Sequence, residues 1–245
     1  MVTLSQDCAE AADEFALVTE AAAGRPGVRP AAGRPCVRRS WADVPGGGQV
    51  SGVIWGTGTP ELVLLHDHGE SARAWDAVAL ALTLDRGRPV VAIDLPGYGQ
   101  SSGRRDGRYE PARITPAVAE AIRWFAPHAR LVAGTGLGGL TALALRRRHP
   151  WLVPGIALFD TLPGAPAAPG AAGARPADQA PACDELAQLS GPVTLIRGAG
   201  TGPLAPAELA RLRQHTPQLG VLTLAGTQPM ALAATLDGLA GVSLS

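Results

Sequence analysis

The sequence of 245 residues contains no lysine and no asparagine, so all 21 of its cationic side chains are arginines. The absence of these two residue types excludes a Schiff-base lysine, a P-loop lysine and an N-x-S/T glycosylation site. The 21 arginines balance 21 acidic side chains, which leaves no net charge to attract nucleic acid or an anionic membrane surface. We therefore expect neither of those partners.

Cysteines and long apolar runs are also scarce. The three cysteines, Cys8, Cys36 and Cys183, lie far apart without C-x-x-C spacing, which predicts neither a disulfide framework nor a zinc site and fits a reducing compartment. The longest apolar stretch, 131–145, is shorter than the roughly 20 residues that a membrane-spanning helix needs. The N-terminus has no basic region of the kind that opens a secretory signal. These features predict a soluble, cytoplasmic protein.

The first 48 residues differ in composition from the rest. Acidic residues early in 5–22 and apolar residues at helical spacing predict one helix there. Residues 24–39 mix arginine, proline and glycine too densely for a helix or a central strand, and this composition is typical of an extended connector. We therefore expect residues 1–48 to form a helix and a connector that precede a single domain over 49–245.

A repeating pattern begins at Gln49, in which a short apolar run, a glycine-rich turn and a helical segment follow one another. This alternation predicts an α/β fold with a mostly parallel central sheet and helices on both faces. The predicted strands are 50–55, 61–66, 89–94, 130–133, 155–160, 192–197 and 220–224. The predicted helices are 71–84, 115–125, 137–149, 205–214 and 229–239.

One segment interrupts this pattern. Residues 161–191 are rich in alanine, proline and glycine and have almost no periodicity. In the predicted fold they leave the sheet at its carboxyl edge, where ligands bind in open α/β sheets. The segment is either a flexible lid or a disordered insertion.

Several segments together resemble the α/β-hydrolase fold. Leu62 to His66, followed by Trp75, is similar to the strand and oxyanion loop of that family, and residues 90–101 are similar to its next strand and turn. Residues 131–139 occupy the position of the nucleophile elbow, between a strand and a helix. The resemblance extends over roughly residues 50–240 and implies that fold.

The same resemblance implies that the catalytic triad of the family is missing. Gly136 stands where the G-x-S-x-G motif places its nucleophile. Gly202 stands where the family has its acid, and Gln228 stands where it has its histidine. A seryl acyl-enzyme therefore has no residue on which to form at the elbow.

The glycines of the elbow also fit a dinucleotide-binding motif. Gly134, Gly136 and Gly139 form G-x-G-x-x-G, and Asp160 ends a later predicted strand. Such a motif normally opens a domain, whereas here 133 residues precede it. We therefore expect no cofactor. The spacing of His66 and His68 around Asp67 makes a poor closed site, so we expect no metal.

The loop after the predicted strand 61–66 supplies the candidate acid and base. Asp67 is predicted as a base and His68 as a proton donor, while Thr135 places a hydroxyl beside the elbow. The alternative is that Asp67 caps the helix near Ser71 or pairs with an arginine and that His68 faces solvent. The other predicted substrate- and oxyanion-binding residues are Gly136, Leu137, Gly138, Trp75 and Gln228.

Three functions are compatible with these residues. The leading hypothesis is a non-hydrolytic enzyme that acts on a small carbonyl compound by elimination, isomerisation or cyclisation, as in natural-product tailoring. The second is an inactive relative of the hydrolases that serves as a binding or scaffold protein. The third is a residual esterase that uses Ser71, Ser101 or Ser102. A small-molecule substrate is the expected partner of the enzyme, and the oligomeric state stays open.

Overall fold

The computed structural model describes residues 14–15, 36–161, 191–198, 204–224 and 229–242. Within these ranges the strands are β1 (Val37–Asp43), β2 (Gln49–Trp55), β3 (Leu62–Leu65), β4 (Val90–Ile93), β5 (Leu131–Thr135), β6 (Ile156–Phe159), β7 (Val193–Arg197) and β8 (Leu219–Thr223). The α-helices are α1 (Asp76–Arg86), α2 (Pro111–Phe125), α3 (Gly136–Arg148), α4 (Pro206–His215) and α5 (Pro229–Val242), and a 3-10 turn, Ala72–Trp75, precedes α1.

The strands form one sheet in the order β1-β2-β4-β3-β5-β6-β7-β8. The β1–β2 and β2–β4 pairs are antiparallel, and every other pair is parallel. The predicted α/β class with a mostly parallel sheet is therefore confirmed. Because β3, β5 and β6 are adjacent and parallel, the loops that follow them meet at one edge of the sheet.

Both faces of the sheet are covered. Along β3 the side chains alternate, so that Leu62 and Leu64 belong to one apolar cluster and Val63 and Leu65 to the other. The first cluster is completed by α1 and α5, which pack against each other, and the second by α2 and α3. This two-sided burial explains why the strands read as continuous apolar runs in the sequence.

The strand β1 corrects the prediction that the chain is still an extended connector as far as Arg39. Residues Val37–Asp43 pair with β2 along their whole length, from Val37 opposite Trp55 to Asp43 opposite Gln49. At the edge of a sheet, polar and charged side chains are tolerated. Arg39 uses this position to reach inward, where its Nη1 donates to Asp94 Oδ2 at 2.7 Å.

Helix α2 begins four residues earlier than predicted, at Pro111 instead of Thr115. A start at Thr115 would place Pro116 in the first turn, but Pro116 lies inside the helix. A proline there lacks the N–H that would bond to the carbonyl four residues back, which is that of Ala112. Arg148 replaces the missing donor, since its Nη1 donates to Ala112 O at 2.7 Å.

Some predictions lie partly or wholly outside the described residues. Of the predicted helix 5–22, only Glu14 and Phe15 are described, and they are helical. The segment 161–191 is described only at its two ends, so the lid stays a prediction, as does the domain division at residue 48. Cys36 is disulfide-bonded, although the spacing of the cysteines predicted no disulfide framework. Among the described helices none has the length and apolar character needed to cross a membrane.

Candidate functional site

The turn between β5 and α3 brings the backbone very close to its neighbours. Gly136, the first residue of α3, has a φ of 44°, in the left-handed region that favours glycine. A Cβ on Gly134 would clash with the backbone of Gly138 and Gly139, and a Cβ on Gly138 would clash with the carbonyls of Leu65 and His66. The helix can therefore approach the ends of β3 and β5 only because glycine occupies these positions.

The same close packing accounts for the G-x-G-x-x-G pattern. A Cβ on Gly139, the last glycine of the pattern, would press against the Thr161 side chain. Asp160, the acid that was considered with this pattern, accepts a hydrogen bond from the N–H of Gly198 at 3.0 Å and lies 4.0 Å from Arg197 Nε. The glycines of the pattern and Asp160 therefore have contacts with other residues of the chain that account for their presence.

The Asp67 carboxylate lies at this turn. Its Oδ1 accepts hydrogen bonds from the N–H of Leu137 at 2.7 Å and from the N–H of His68 at 2.6 Å. A Cβ built on Gly136 would overlap both oxygens and Cγ of Asp67. The carboxylate therefore fills the volume in which a side chain at the elbow would stand. The N-terminus of α3 favours its negative charge.

His66 holds the loop of Asp67 in place. The N–H of Leu95 donates to His66 Nε2 at 2.9 Å, so the neutral ring carries its proton on Nδ1 and donates to Asp67 O at 2.7 Å. Burial lowers the pKa of the imidazole, although the hydrogen bond to Asp67 O opposes this shift. The ring therefore links the loops that follow β3 and β4.

The other predicted site residues are brought together only in part. The N–H of Leu137, which was predicted to bind an oxyanion together with that of Gly138, donates to Asp67 Oδ1, and the N–H of His68 donates to the same oxygen. The His68 ring turns toward Tyr98, with its centroid 5.5 Å from the Tyr98 centroid. The suggestion that Asp67 caps the helix near Ser71 is wrong, since Ser71 itself accepts from the N–H of Arg73 there. The catalytic roles of Asp67, His68 and Thr135 stay predictions.

Thr161 is a site residue that the sequence analysis did not single out. Its Oγ1 accepts the N–H of Gly136 at 2.7 Å and donates to Phe159 O at 3.0 Å. Asp67 and Thr161 thus bind the first two backbone N–H groups of α3. The signal that could have identified Thr161 is its place directly after the predicted strand 155–160, which in the structure pairs with the strand before the elbow.

A cleft of about 320 Å³ opens beside Asp67. Its lining includes the polar side chains of Asp67, Glu70 and Thr135 and the apolar side chains of Trp75, Val78, Phe159 and Leu232. Trp75, which was predicted to bind substrate, lines this cleft, and its role stays a prediction. The predicted Gln228 and the position of Gly202 lie outside the described residues. A second cleft, of about 370 Å³, is lined by residues such as Gly46 and Arg105 and shares no lining residue with the first.

The three serines considered as nucleophiles are bound elsewhere. Ser101 Oγ donates to Asp94 O at 2.6 Å and accepts the N–H of Ser51, while Ser102 Oγ accepts the N–H of Gln49. Ser71 caps the 3-10 turn. None of the three lines the cleft beside Asp67. In the described part of the chain, no group of three or more His, Cys, Asp or Glu side chains could hold a metal ion.

Two proteins that are similar in sequence are named as esterases. The chain is 40% identical over 164 residues to Esterase Rv0045c of Mycobacterium tuberculosis (strain ATCC 25618 / H37Rv), an alignment that spans 66% of this chain and 50% of the relative. It is 36% identical over 108 residues to the pimeloyl-[acyl-carrier protein] methyl ester esterase of Sodalis glossinidius, spanning 44% of this chain and 39% of the relative. The alignments thus span half or less of these two relatives.

Solved structures with the same fold include one of these relatives. A crystal structure of the esterase Rv0045c from Mycobacterium tuberculosis superimposes with a TM-score of 0.71 and 27% identity, covering 99% of this chain and 100% of the other. The thioesterase domain from the curacin biosynthetic pathway superimposes with a TM-score of 0.66 at 19% identity, covering 84% of this chain and 99% of the other, and this second likeness shows the fold alone.

These names correct the leading hypothesis from the sequence. Elimination, isomerisation or cyclisation was expected because the elbow lacks a nucleophilic side chain. Relatives up to 40% identical are instead named for cleaving esters, which points to hydrolysis and not to a lyase, a cyclase or natural-product tailoring. The error was to conclude from the three substituted triad positions that the reaction itself had changed.

The sequence resemblance to a hydrolase covers most of the sheet. A model of the alpha/beta hydrolase family matches residues 62–240, a range that begins with β3 and ends within α5. It includes the elbow, the loop of Asp67 and the cleft. The chain belongs to the alpha/beta hydrolase family.

Proposed function

We propose that this chain hydrolyses carboxylic esters in the cleft beside Asp67, with the Asp67 carboxylate taking the place of an elbow nucleophile. In this proposal Gly136, Gly202 and Gln228 stand where the family has its serine, acid and histidine. The observation that carries the proposal is the position of the Asp67 carboxylate, which overlaps the volume of a side chain at position 136.

The relatives and the cleft support an ester as the substrate. Two relatives are named as esterases, and the alpha/beta hydrolase family is shown for this chain. The walls of the cleft are formed by Trp75, Phe159 and Leu232, which offer apolar surface to an acyl or alcohol group. The carboxylates of Asp67 and Glu70 lie in the same cleft, so a bound ester is close to a reactive oxygen.

A carboxylate is able to promote ester hydrolysis. It either removes a proton from the attacking water or attacks the ester itself. Asp67 is suited to both because Leu137 and His68 fix one of its oxygens, which orients the other. Hydrolysis then needs no side chain at position 136.

The test is the hydrolysis of p-nitrophenyl acetate and butyrate by the purified chain and by Asp67→Asn. The asparagine carbonyl still accepts the same two N–H bonds, so the fold is kept while the reactive carboxylate is lost. We expect kcat/KM to fall on the order of 10²–10⁴-fold, the range for loss of an acid or base group.

The matched control is Asp85→Asn. Asp85 is an exposed residue of α1, outside the lining of the cleft, so this variant should keep the wild-type rate. Equal thermal unfolding curves for the three proteins would show that the comparison reports chemistry. Absence of turnover by the wild type, or an unchanged rate in Asp67→Asn, would contradict the proposal.

A further inference from the structure

We infer that the Thr135 hydroxyl is the donor that stabilises the negative charge on the ester carbonyl oxygen during hydrolysis in the cleft. This inference rests on the proposed function, because it assigns the residue that binds the reacting carbonyl group there. The observations behind it are the way in which the start of α3 is capped and the small number of hydrogen-bond donors in the cleft.

The first N–H groups of α3 are already bound. The N–H of Gly136 donates to Thr161 Oγ1 at 2.7 Å. The N–H of Leu137 donates to Asp67 Oδ1, also at 2.7 Å. Gly136, Leu137 and Gly138 were predicted to bind substrate or an oxyanion, but none of them lines the cleft. Charge that develops on a substrate oxygen in the cleft therefore needs another donor.

Thr135 has the position of a capping residue but does not cap the helix. It is the N-cap residue of α3, where a threonine oxygen usually accepts an N–H of the first turn. Here its side chain makes no capping hydrogen bond, and it has no other hydrogen-bond partner among the residues that the structure describes. Because Asp67 and Thr161 bind the N–H groups instead, the Thr135 hydroxyl is left to bind a substrate.

The sheet places Thr135 in the cleft. Side chains alternate along β5, so Thr135 lies on the same face as Ala133, which belongs to the apolar cluster completed by α1 and α5. Thr135 pairs with Phe159 of β6, and both residues line the cleft together with Val78 of α1 and Leu232 of α5. The half-buried hydroxyl therefore lies beside apolar walls, where a hydrogen bond to a charged oxygen is stronger than in water.

The other described residues of the lining offer few donors. Asp67 and Glu70 have carboxylates, which accept hydrogen bonds but do not donate them when ionised. Their backbone N–H groups are used within the loop, that of Asp67 by Glu70 Oε2 at 3.1 Å and that of Glu70 by Asp67 O at 3.3 Å. The indole N–H of Trp75 has no partner, but it is buried, so a ligand in the cleft does not reach it. Thr135 is thus the accessible side-chain donor of the described lining.

The hydroxyl acts in the step in which water adds to the ester. Water gives one proton to the Asp67 carboxylate, and its oxygen forms a bond to the acyl carbon. The electron pair of the C=O double bond moves onto the carbonyl oxygen, which accepts the hydrogen bond of Thr135. When the double bond forms again, the bond to the alcohol oxygen breaks, and that oxygen takes the proton from Asp67. The products are an alcohol and a carboxylic acid, which loses its proton to solvent.

The experiment compares the wild type with Thr135→Val and Thr135→Ser on p-nitrophenyl butyrate. Valine keeps the shape of threonine and removes the hydroxyl, whereas serine keeps the hydroxyl. We expect kcat to fall on the order of 10²-fold in Thr135→Val, as for the loss of one oxyanion donor, with KM changed less than about twofold. Thr135→Ser should keep at least about a tenth of the wild-type kcat.

A thionoester separates a role in catalysis from a role in the fold. Sulfur is a weaker hydrogen-bond acceptor than oxygen, so Thr135 should favour p-nitrophenyl butyrate over the analogue with sulfur in place of the carbonyl oxygen. We expect this preference, the ratio of the two kcat/KM values, to be about tenfold smaller in Thr135→Val. Distortion of the fold would lower both rates equally. The matched control is Thr235→Val, which loses a hydroxyl that donates to Ala231 O outside the cleft lining and should keep the wild-type ratio.

The outcomes separate the inference from the proposed function. An unchanged kcat in Thr135→Val, or an unchanged ratio of the two substrates, would overturn the role of Thr135 and leave hydrolysis in the cleft intact. A loss of kcat that serine does not restore would also overturn that role. Absence of turnover by the wild type would overturn both the inference and the proposed function.

Discussion

Asp67 and Asp94 follow the neighbouring parallel strands β3 and β4, yet their carboxylates differ in burial and in hydrogen bonding. Asp94 is almost fully buried, and both of its oxygens are used, by the N–H of Ala72 on Oδ1 and by Arg39 and the N–H of Gln100 on Oδ2. Asp67 is half-buried, has no arginine within ion-pair distance among the described residues, and has one oxygen without a partner. A carboxylate with both oxygens bound stabilises the fold, whereas one with a free oxygen in a cleft is available for chemistry.

His66 connects these two regions. Its Nε2 accepts from the residue after Asp94, and its Nδ1 donates to the carbonyl of Asp67. The well-bound loop of Asp94 therefore supports the loop whose carboxylate lines the cleft. The comparison makes three predictions, which follow in order of expected effect.

The largest effect is expected for Asp94→Ala. This change removes the buried partner of the Arg39 guanidinium, whose side chain is 8% exposed, and leaves it paired only with the exposed Glu14. Loss of one member of a buried ion pair costs about 3–5 kcal/mol, so the free energy of unfolding should fall by that amount in urea denaturation. Asp67→Asn should cost less than about 1 kcal/mol because its hydrogen bonds survive. Equal losses in the two variants would remove the distinction between the two carboxylates.

A smaller effect is expected when a serine is placed at the elbow. In Gly136→Ser the new Cβ overlaps the Asp67 carboxylate, and the serine has to adopt the φ of 44° that residue 136 has. For these two reasons the free energy of unfolding should fall by about 1–3 kcal/mol. Adding Asp67→Gly removes the overlap. The double variant should therefore be more stable than the sum of the two single changes indicates, by about 0.5–3 kcal/mol in a double-mutant cycle. Simple additivity would show that the two positions do not share this space.

The smallest effect concerns the pH dependence that His66 confers. Burial lowers its pKa in the folded protein below the value of about 6.5 in the unfolded chain. The unfolded chain therefore binds the proton more readily, and the stability due to His66 is complete above that value and is lost as the pH falls through the lowered pKa.

The measurement for His66 is the difference in unfolding free energy between the wild type and His66→Gln at several pH values. This difference should shrink below about pH 6.5, by no more than about 1.4 kcal/mol per pH unit. Burial also lowers the pKa of His149, but that residue is present in both proteins and its contribution cancels. A difference that does not change with pH would contradict the role of His66 as a buried, neutral link.

Much of the fold was predictable because the strands are short, continuous apolar runs. Six of the seven predicted strands lie within one residue of the observed bounds at each end, and β5 ends two residues later than predicted. The exceptions have physical causes. The edge strand β1 carries Arg39, which is paired with both Asp94 and Glu14, and these acids are distant from it in sequence. Helix α2 passes through Pro116 because Arg148 supplies the missing donor.

The site was predictable as a set of residues but not as an arrangement. The sequence placed Asp67 and Leu137 at the ends of strands that meet, and it identified Gly136 as an elbow without a side chain. That the carboxylate fills the space at Gly136 depends on a contact between residues 70 positions apart, which no local pattern encodes. The hydrogen bond between Thr161 and Gly136 and the contact between the rings of His68 and Tyr98 also join residues that are distant in sequence, so no local pattern predicts them either.

The central claim is that one oxygen of the Asp67 carboxylate accepts the N–H groups of both Leu137 and His68. It is tested most directly by following these two amide protons by NMR while the carboxylate is protonated with acid. The account predicts that both signals move upfield together, with a single midpoint, and that neither moves in Asp67→Asn. Two separate midpoints, or movement that persists in Asp67→Asn, would contradict it.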